Sequence, residues 1–190
     1  EGLEFHSTRD YRHGDSIRRI DWRQYAKTGS LTTIEYNEPH TARVLLLFDT
    51  REIARQGAYE GAPTGADLAT YAGEHLLHAF TDQAHHVGVA ALGVGENNTH
   101  TAYIPVGSGS TLTARATSLF NTIREPSEGL PDNVQTLATE ASPTDSVQQL
   151  CTRLHKETQV IVISPLLDET PLDYLKLFQR HHYDLSVLSL

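Results

Sequence analysis

The chain has 190 residues, 38% hydrophobic and 7% aromatic, with 24 acidic against 15 basic side chains and a formal net charge of −9. That length suits one α/β domain with an N-terminal appendage and is enough to bury a core. The acidic balance argues against duplex binding driven by phosphate contacts, and the single cysteine, Cys151, excludes an internal disulfide or a cysteine-built zinc site. There is no methionine, even at position 1, so the chain is expected to start inside a longer reading frame. No apolar run in this stretch reaches membrane-spanning length, and we expect no signal peptide within it. Only three lysines occur (Lys27, Lys156, Lys176) beside many acids and threonines, which leads us to expect a salt-loving source.

From the N-terminus, Arg9, Arg12, Arg18, Arg19 and Arg23 alternate with Asp10, Asp15 and Asp21 within fifteen residues. Alternating signs predict paired charges rather than a nucleic-acid patch. Gly14 suits a tight turn, and Asp15 or Ser16 can cap a helix running to about Ala26. Trp22, the only tryptophan, is placed to pack that helix onto the body of the domain. We expect Arg18, Asp21 and Trp22 to be structural, and Arg12, Arg19 and Arg23 to face away.

Several residues of this stretch stand in a fixed pattern: Gly2-Leu3-Glu4-Phe5, Arg9-x-Tyr11, Gly14-Asp15, Arg18-x-Ile20-Asp21-Trp22 and Ala26-Lys27. The pattern closely resembles the signature of the domain of unknown function 58 family. The resemblance implies a von Willebrand factor A-like domain after the signature, a MoxR-type AAA+ ATPase as partner, and a transmembrane anchor upstream that would hold the protein on the cytoplasmic side of a membrane. It leaves two readings of Arg9, Tyr11, Gly14, Asp15, Arg18, Arg19, Asp21 and Trp22: a charged bracket holding the domain together, or a docking surface.

Further along, Thr28-Gly29-Ser30 is a helix stop, and Leu31 to Glu38 alternates as a half-buried strand broken by Pro39. Arg43 to Asp49 is a continuous apolar run ending in an acid, the pattern of a central parallel strand whose carboxyl end faces a ligand crevice. Thr64 and Asp67 form a capping box with Asp in place of Glu, opening a helix over 65–83. His75 falls on the predicted apolar face of that helix and is expected in the core. Strands follow at 87–94 and 101–106, joined by a turn at 95–98, and Gly107-Ser108-Gly109-Ser110 opens a helix through Ile123. Residues 126–132 form a loop. Ser142 or Thr144 caps a helix to about Glu157 that buries Cys151, Val160–Ser164 is a buried strand, Thr170–Arg180 a helix, and 185–190 a last strand. Strands alternating with helices indicate a doubly wound, mostly parallel sheet. We divide the chain into a signature segment, 1–42, packed on a von Willebrand factor A-like domain, 43–190.

The resemblance permits one test of chemistry. Metal-binding von Willebrand factor A-like domains carry Asp-x-Ser-x-Ser after the first strand, then a Thr and a further Asp. Here the first motif is Asp49-Thr50-Arg51-Glu52-Ile53, with Arg51 and Ile53 replacing both serines. Thr111 matches the Thr, and Ser164 stands where the further acid belongs, with Asp168 a little beyond. A hard divalent cation needs several oxygens, and Arg51 brings a competing charge. Asp49, Arg51, Thr111 and Ser164 therefore form a degenerate metal site with no bound metal, in which Asp49 is neutralised by Arg51 or another internal partner.

Other chemistry finds little support. Gly107–Thr111 could cradle a phosphate at a helix start, but it lacks the P-loop lysine. The eleven histidines do not show the H-E-x-x-H spacing of a zinc helix. No G-x-S-x-G elbow exists, and we assign no catalytic residue and no cofactor. The sequence thus leads to a non-enzymatic adaptor domain with a protein partner. The rival is a metal- or nucleotide-dependent enzyme using Asp49, Gly107–Thr111 and Ser164 at the carboxyl edge of the sheet.

Overall fold

The computed structural model describes residues 4–37, 41–95, 98–125 and 129–190. Signature residues Gly2 and Leu3, the side chains of Glu4 and Phe5, the strand break at Pro39, turn residues Glu96 and Asn97, and the loop start at 126–128 lie outside the described residues. The chain divides into two compact units, 1–40 and 41–190.

The first unit is an antiparallel pair, β1 (Glu4–Asp10) and β2 (Thr32–Asn37), with Asp10 opposite Thr32. Between them lie a 3-10 turn, Ile17–Arg19, and a helix of two turns, α1 (Trp22–Thr28). The single helix expected from Asp15 or Ser16 to Ala26 is therefore two pieces. Ile20 bridges to Thr33 in extended conformation, and Asp21 caps α1 by accepting the Gln24 N–H at 2.9 Å. Gly29 ends α1 in the left-handed conformation, φ 72°, where a side chain would be strained.

The second unit is a six-stranded sheet, mostly parallel, in the order β6-β5-β4-β3-β7-β8. Its strands are β3 (Arg43–Asp49), β4 (His86–Val94), β5 (His100–Gly107), β6 (Gln135–Thr139), β7 (Thr158–Ser164) and β8 (Asp184–Ser189). Helices α2 (Gly65–Asp82) and α3 (Ser110–Arg124) cover one face; α4 (Pro143–Arg153) and α5 (Thr170–Arg180) cover the other. The period of two along a strand sorts the central one: Val44, Leu46 and Phe48 meet α2 and α3, while Leu45 and Leu47 meet α4 and α5. All five are wholly buried, and each contributes about 1.5–3 kcal/mol relative to exposure.

One strand was not anticipated, and the direction of another matters for the site. Strand β6 falls where no element was assigned. Strand β5 runs against β4, pairing Val94 with His100 and Val87 with Gly107, so its end returns to the amino edge of the parallel strands.

The helix starts follow the caps. Thr64 and Asp67 form the reciprocal box of α2, with Thr64 N–H to Asp67 at 2.8 Å and Asp67 N–H to Thr64 at 3.1 Å. Ser142, rather than Thr144, caps α4. Cys151 is buried and its thiol is pushed up to about 11 by burial. His75 is exposed, ring-to-edge against Tyr71 at 4.6 Å, not in the core.

Candidate functional site at the carboxyl edge of the sheet

Continuing the alternation of β3, Asp49 points to the α4/α5 face, and its residue is 1% exposed. A carboxylate there needs partners on every lone pair, and four side-chain bonds supply them. Arg51 donates to it twice, from Nε to Oδ1 at 2.7 Å and from Nη2 to Oδ2 at 2.9 Å. Ser164, at the end of β7, donates to Oδ2 at 3.0 Å, and the Tyr174 hydroxyl of α5 donates to the same oxygen at 3.2 Å. Burial, then the Asp49 charge, push the Tyr174 hydroxyl far above its ordinary value, so it stays a donor.

The same guanidinium reaches a second carboxylate. Arg51 Nη1 and Nη2 donate to Asp168 Oδ2 and Oδ1 at 2.9 and 2.8 Å, and Thr170 at the start of α5 donates to Asp168 Oδ2 at 2.8 Å. Arg51 is thus shared between an acid at the end of β3 and one in the loop before α5, with planar two-point contact to each. Burial opposes its charge, but the hydrogen bonds to Asp168 and Asp49 outweigh burial and raise its pKa. Asp168 is held down to about 2, chiefly by the Arg51 hydrogen bond.

The loop that carries Arg51 is itself pinned. Thr50 donates through its hydroxyl to the Leu92 carbonyl at 2.8 Å. Arg55 donates to the carbonyls of Thr50, Ile123 and Gly93 at 3.1, 2.9 and 3.3 Å. Gly93, at φ 79°, lies so close that a Cβ there would sit 2.5 Å from the Arg51 Cα. Beside the loop a cleft of about 460 Å³ opens between Glu52, Asn98, Thr101 and Glu140.

Of the residues singled out in the sequence, Asp49, Arg51 and Ser164 come together, and Asp168 joins them. Thr111 does not. It is exposed in the first turn of α3, beyond the end of β5 that pairs with Val87, while Asp49 pairs with Leu92. Five residues of strand, about 17 Å, separate those levels. The Gly107–Ser110 turn is therefore at the opposite edge from Asp49, and the pieces of the enzyme reading do not converge. Tyr174 was missed, since a tyrosine on an apolar helix face carries no sign that its hydroxyl meets an acid. Among the described residues, no three His, Cys, Asp or Glu side chains gather in a metal-holding group.

In the first unit, the charge bracket centres on Asp15. Arg9 grips it with two bonds of 2.8 Å, the Arg12 N–H adds one at 2.8 Å and the Thr33 hydroxyl one at 3.2 Å. The Arg9 hydrogen bonds lead in holding its carboxyl well below the usual carboxylate range. Tyr11 closes the hairpin by donating its N–H to the Leu31 carbonyl, and Gly14 turns at φ 106°. Arg18, Arg19 and Arg23 are exposed, and Trp22 is 54% exposed, edge-on to Tyr25. Of the three residues expected to be structural, Asp21 caps α1, whereas Arg18 and Trp22 are exposed.

No curated protein matches this chain. Residues 7–190 match the family described as Protein of unknown function DUF58, and the chain belongs to that family.

Proposed function

We propose that this chain is a non-enzymatic interaction module, a von Willebrand factor A-like sheet whose metal position has been taken over by an arginine. The observation that carries the reading is the Arg51 guanidinium held between Asp49 and Asp168. A fixed cation between two carboxylates supplies the charge that a divalent ion would bring and uses the oxygens it would need. The exposed Trp22 and Tyr25 of the first unit support a docking role, since aromatic side chains dominate the energetics of protein contacts. On the family resemblance, the partner is a MoxR-type AAA+ ATPase in a membrane-associated chaperone or assembly system, and the parent protein is membrane-anchored. No helix among the described residues is long and apolar enough to cross a membrane, so the anchor would be supplied by flanking sequence.

The test is direct binding of the purified chain to a MoxR-type ATPase from the same genome, followed by calorimetry. Saturable binding that weakens about thirtyfold in Trp22→Ala, the cost of losing an aromatic hot spot, is the expected result. Saturable heats with magnesium or manganese that vanish in Asp49→Ala would overturn the reading.

A further inference from the structure

A second cleft, of about 260 Å³, opens at the other end of the sheet, where the parallel strands begin. It arises from register. Arg43 pairs with His86 on one side and Thr158 on the other, so the first residues of β4, β3 and β7 form one row. Side chains at matched positions of parallel strands share a face, here the α4/α5 face, since Leu45 and Val160 two residues on both belong to that core. The end of α4 brings Arg153, and the turn after it His155, to the cleft, and Tyr103 of β5 also lines it.

The lining of this cleft runs against the acidic balance of the chain. In a chain of net charge −9, the cleft is lined by two arginines and two histidines and by no acid. One carboxylate, Glu157, lies 3.9 Å from His155 Nδ1, on an exposed side chain that does not line the cleft. Arg153 has a bland explanation as the basic residue in the last turn of α4, but that does not account for Arg43 or His86. Thr158 supplies the independent sign. It is 1% exposed, it lines the cleft, and its hydroxyl has no hydrogen-bond partner. A buried hydroxyl without a partner is costly and rare. The Arg153 charge reaches the Tyr103 hydroxyl, which burial pushes up and which therefore remains a donor.

We propose that this cleft binds a small oxyanion, a phosphate or carboxylate group, held by Arg43 and Arg153 with the Thr158 and Tyr103 hydroxyls as neutral donors. Its size is below that of a typical cofactor pocket, so it takes the anionic head of a small molecule rather than a whole nucleotide. This is separate from the Asp49–Arg51 edge and does not depend on how that edge is read.

The full chain, labelled with nitrogen-15, is titrated with inorganic phosphate and separately with acetate, each at constant ionic strength balanced by chloride. Saturable shifts confined to the amides around 43, 86, 103 and 153–158 are expected with at least one of the two anions, and the tighter one identifies the group. Both arginines are exposed, so Arg43→Gln with Arg153→Gln leaves the fold intact and weakens binding about tenfold or more, the loss of charge-assisted hydrogen bonds. Lys176→Gln, a charge removal outside the cleft, leaves it unchanged. Thr158→Val keeps the shape, weakens the anion and does not lower the melting temperature. Neither anion giving saturable shifts, or equal shifts in the double arginine variant, overturns the proposal.

Discussion

Arg51 and Asp49, two residues apart, are joined by a two-point ion pair of 2.7 and 2.9 Å at the carboxyl end of the central strand. Because Asp49 is buried, the pair is not interchangeable with a surface salt bridge. Arg51→Ala leaves the carboxylate with Ser164, Tyr174 and a long 3.5 Å bond from the backbone N–H of residue 51, and we expect a loss of about 3 kcal/mol in denaturant titration, between an unsatisfied polar group and a stranded charge. Adding Asp49→Asn to that variant removes the stranded charge and recovers part of the loss. A fully stable Arg51→Ala would mean that the two side chains do not depend on each other.

The same geometry predicts how a metal site could be recovered. In the wild-type chain, magnesium leaves the melting temperature unchanged, because both acids already hold a cation. Arg51→Ser frees the oxygens of Asp49 and Asp168 and adds a hydroxyl where, on the proposed von Willebrand factor A-like reading, a metal-binding domain carries one. That variant should gain stability that grows with magnesium concentration, and adding Asp49→Ala should abolish the gain. Magnesium-dependent stabilisation of the wild type would contradict the proposed role of Arg51.

Much of this edge was legible because it is local. Asp49 ends an apolar run, and Arg51 stands two residues on, where the resemblance would put a ligand serine, so their pairing needs no knowledge of the fold. The partners from β7 and α5 are 115 and 125 residues away, and nothing near Tyr174 marks its hydroxyl. The misplacement of Thr111 came from strand direction. A connection of only five residues separates Val94 from His100, far too short for a parallel crossover, and that length was the available signal that β5 turns back. Strand β6 offered no such signal: in Gln135–Thr139 only Leu137 and Ala138 are buried, so the pattern of a strand is nearly absent. Asp15 was expected to cap a helix, a role that Asp21 takes for α1; its hold on Thr33 depends on β1 pairing with β2, which local pattern does not reveal.

Asp168 makes stability depend on acid pH. Its carboxyl titrates at about 2 in the folded chain, below its unfolded value, so the folded state favours the charged form. The contribution is complete above the unfolded value, near pH 4, and is lost as pH falls through about 2. Thermal melts between those limits should show stability falling in the wild type and falling less steeply in Asp168→Asn, which starts lower at neutral pH. Parallel acid limbs in the two proteins would remove Asp168 from this account.

The last prediction separates the bracket of the first unit from its exposed charges. Asp15 accepts four hydrogen bonds, two from Arg9, one from the Arg12 backbone and one from Thr33, and so ties β1, the turn and β2 together. Arg18 lies exposed in the 3-10 turn with no described partner, and Asp21, expected with it to be structural, caps α1. Arg9→Ala and Asp15→Asn should therefore lower the stability of the first unit, whereas Arg18→Ala should change it by less than about 0.5 kcal/mol. Trp22 is the only tryptophan and lies in the first unit, so its fluorescence follows that unit's unfolding apart from the sheet domain. The asparagine variant is the sharper probe, because it keeps the size of Asp15 and removes only the charge and half of the acceptor capacity. It should shift the tryptophan transition to lower denaturant. Equal shifts in Asp15→Asn and Arg18→Ala would show that the bracket extends to Arg18, and no shift in Asp15→Asn would show that the hairpin stands without it.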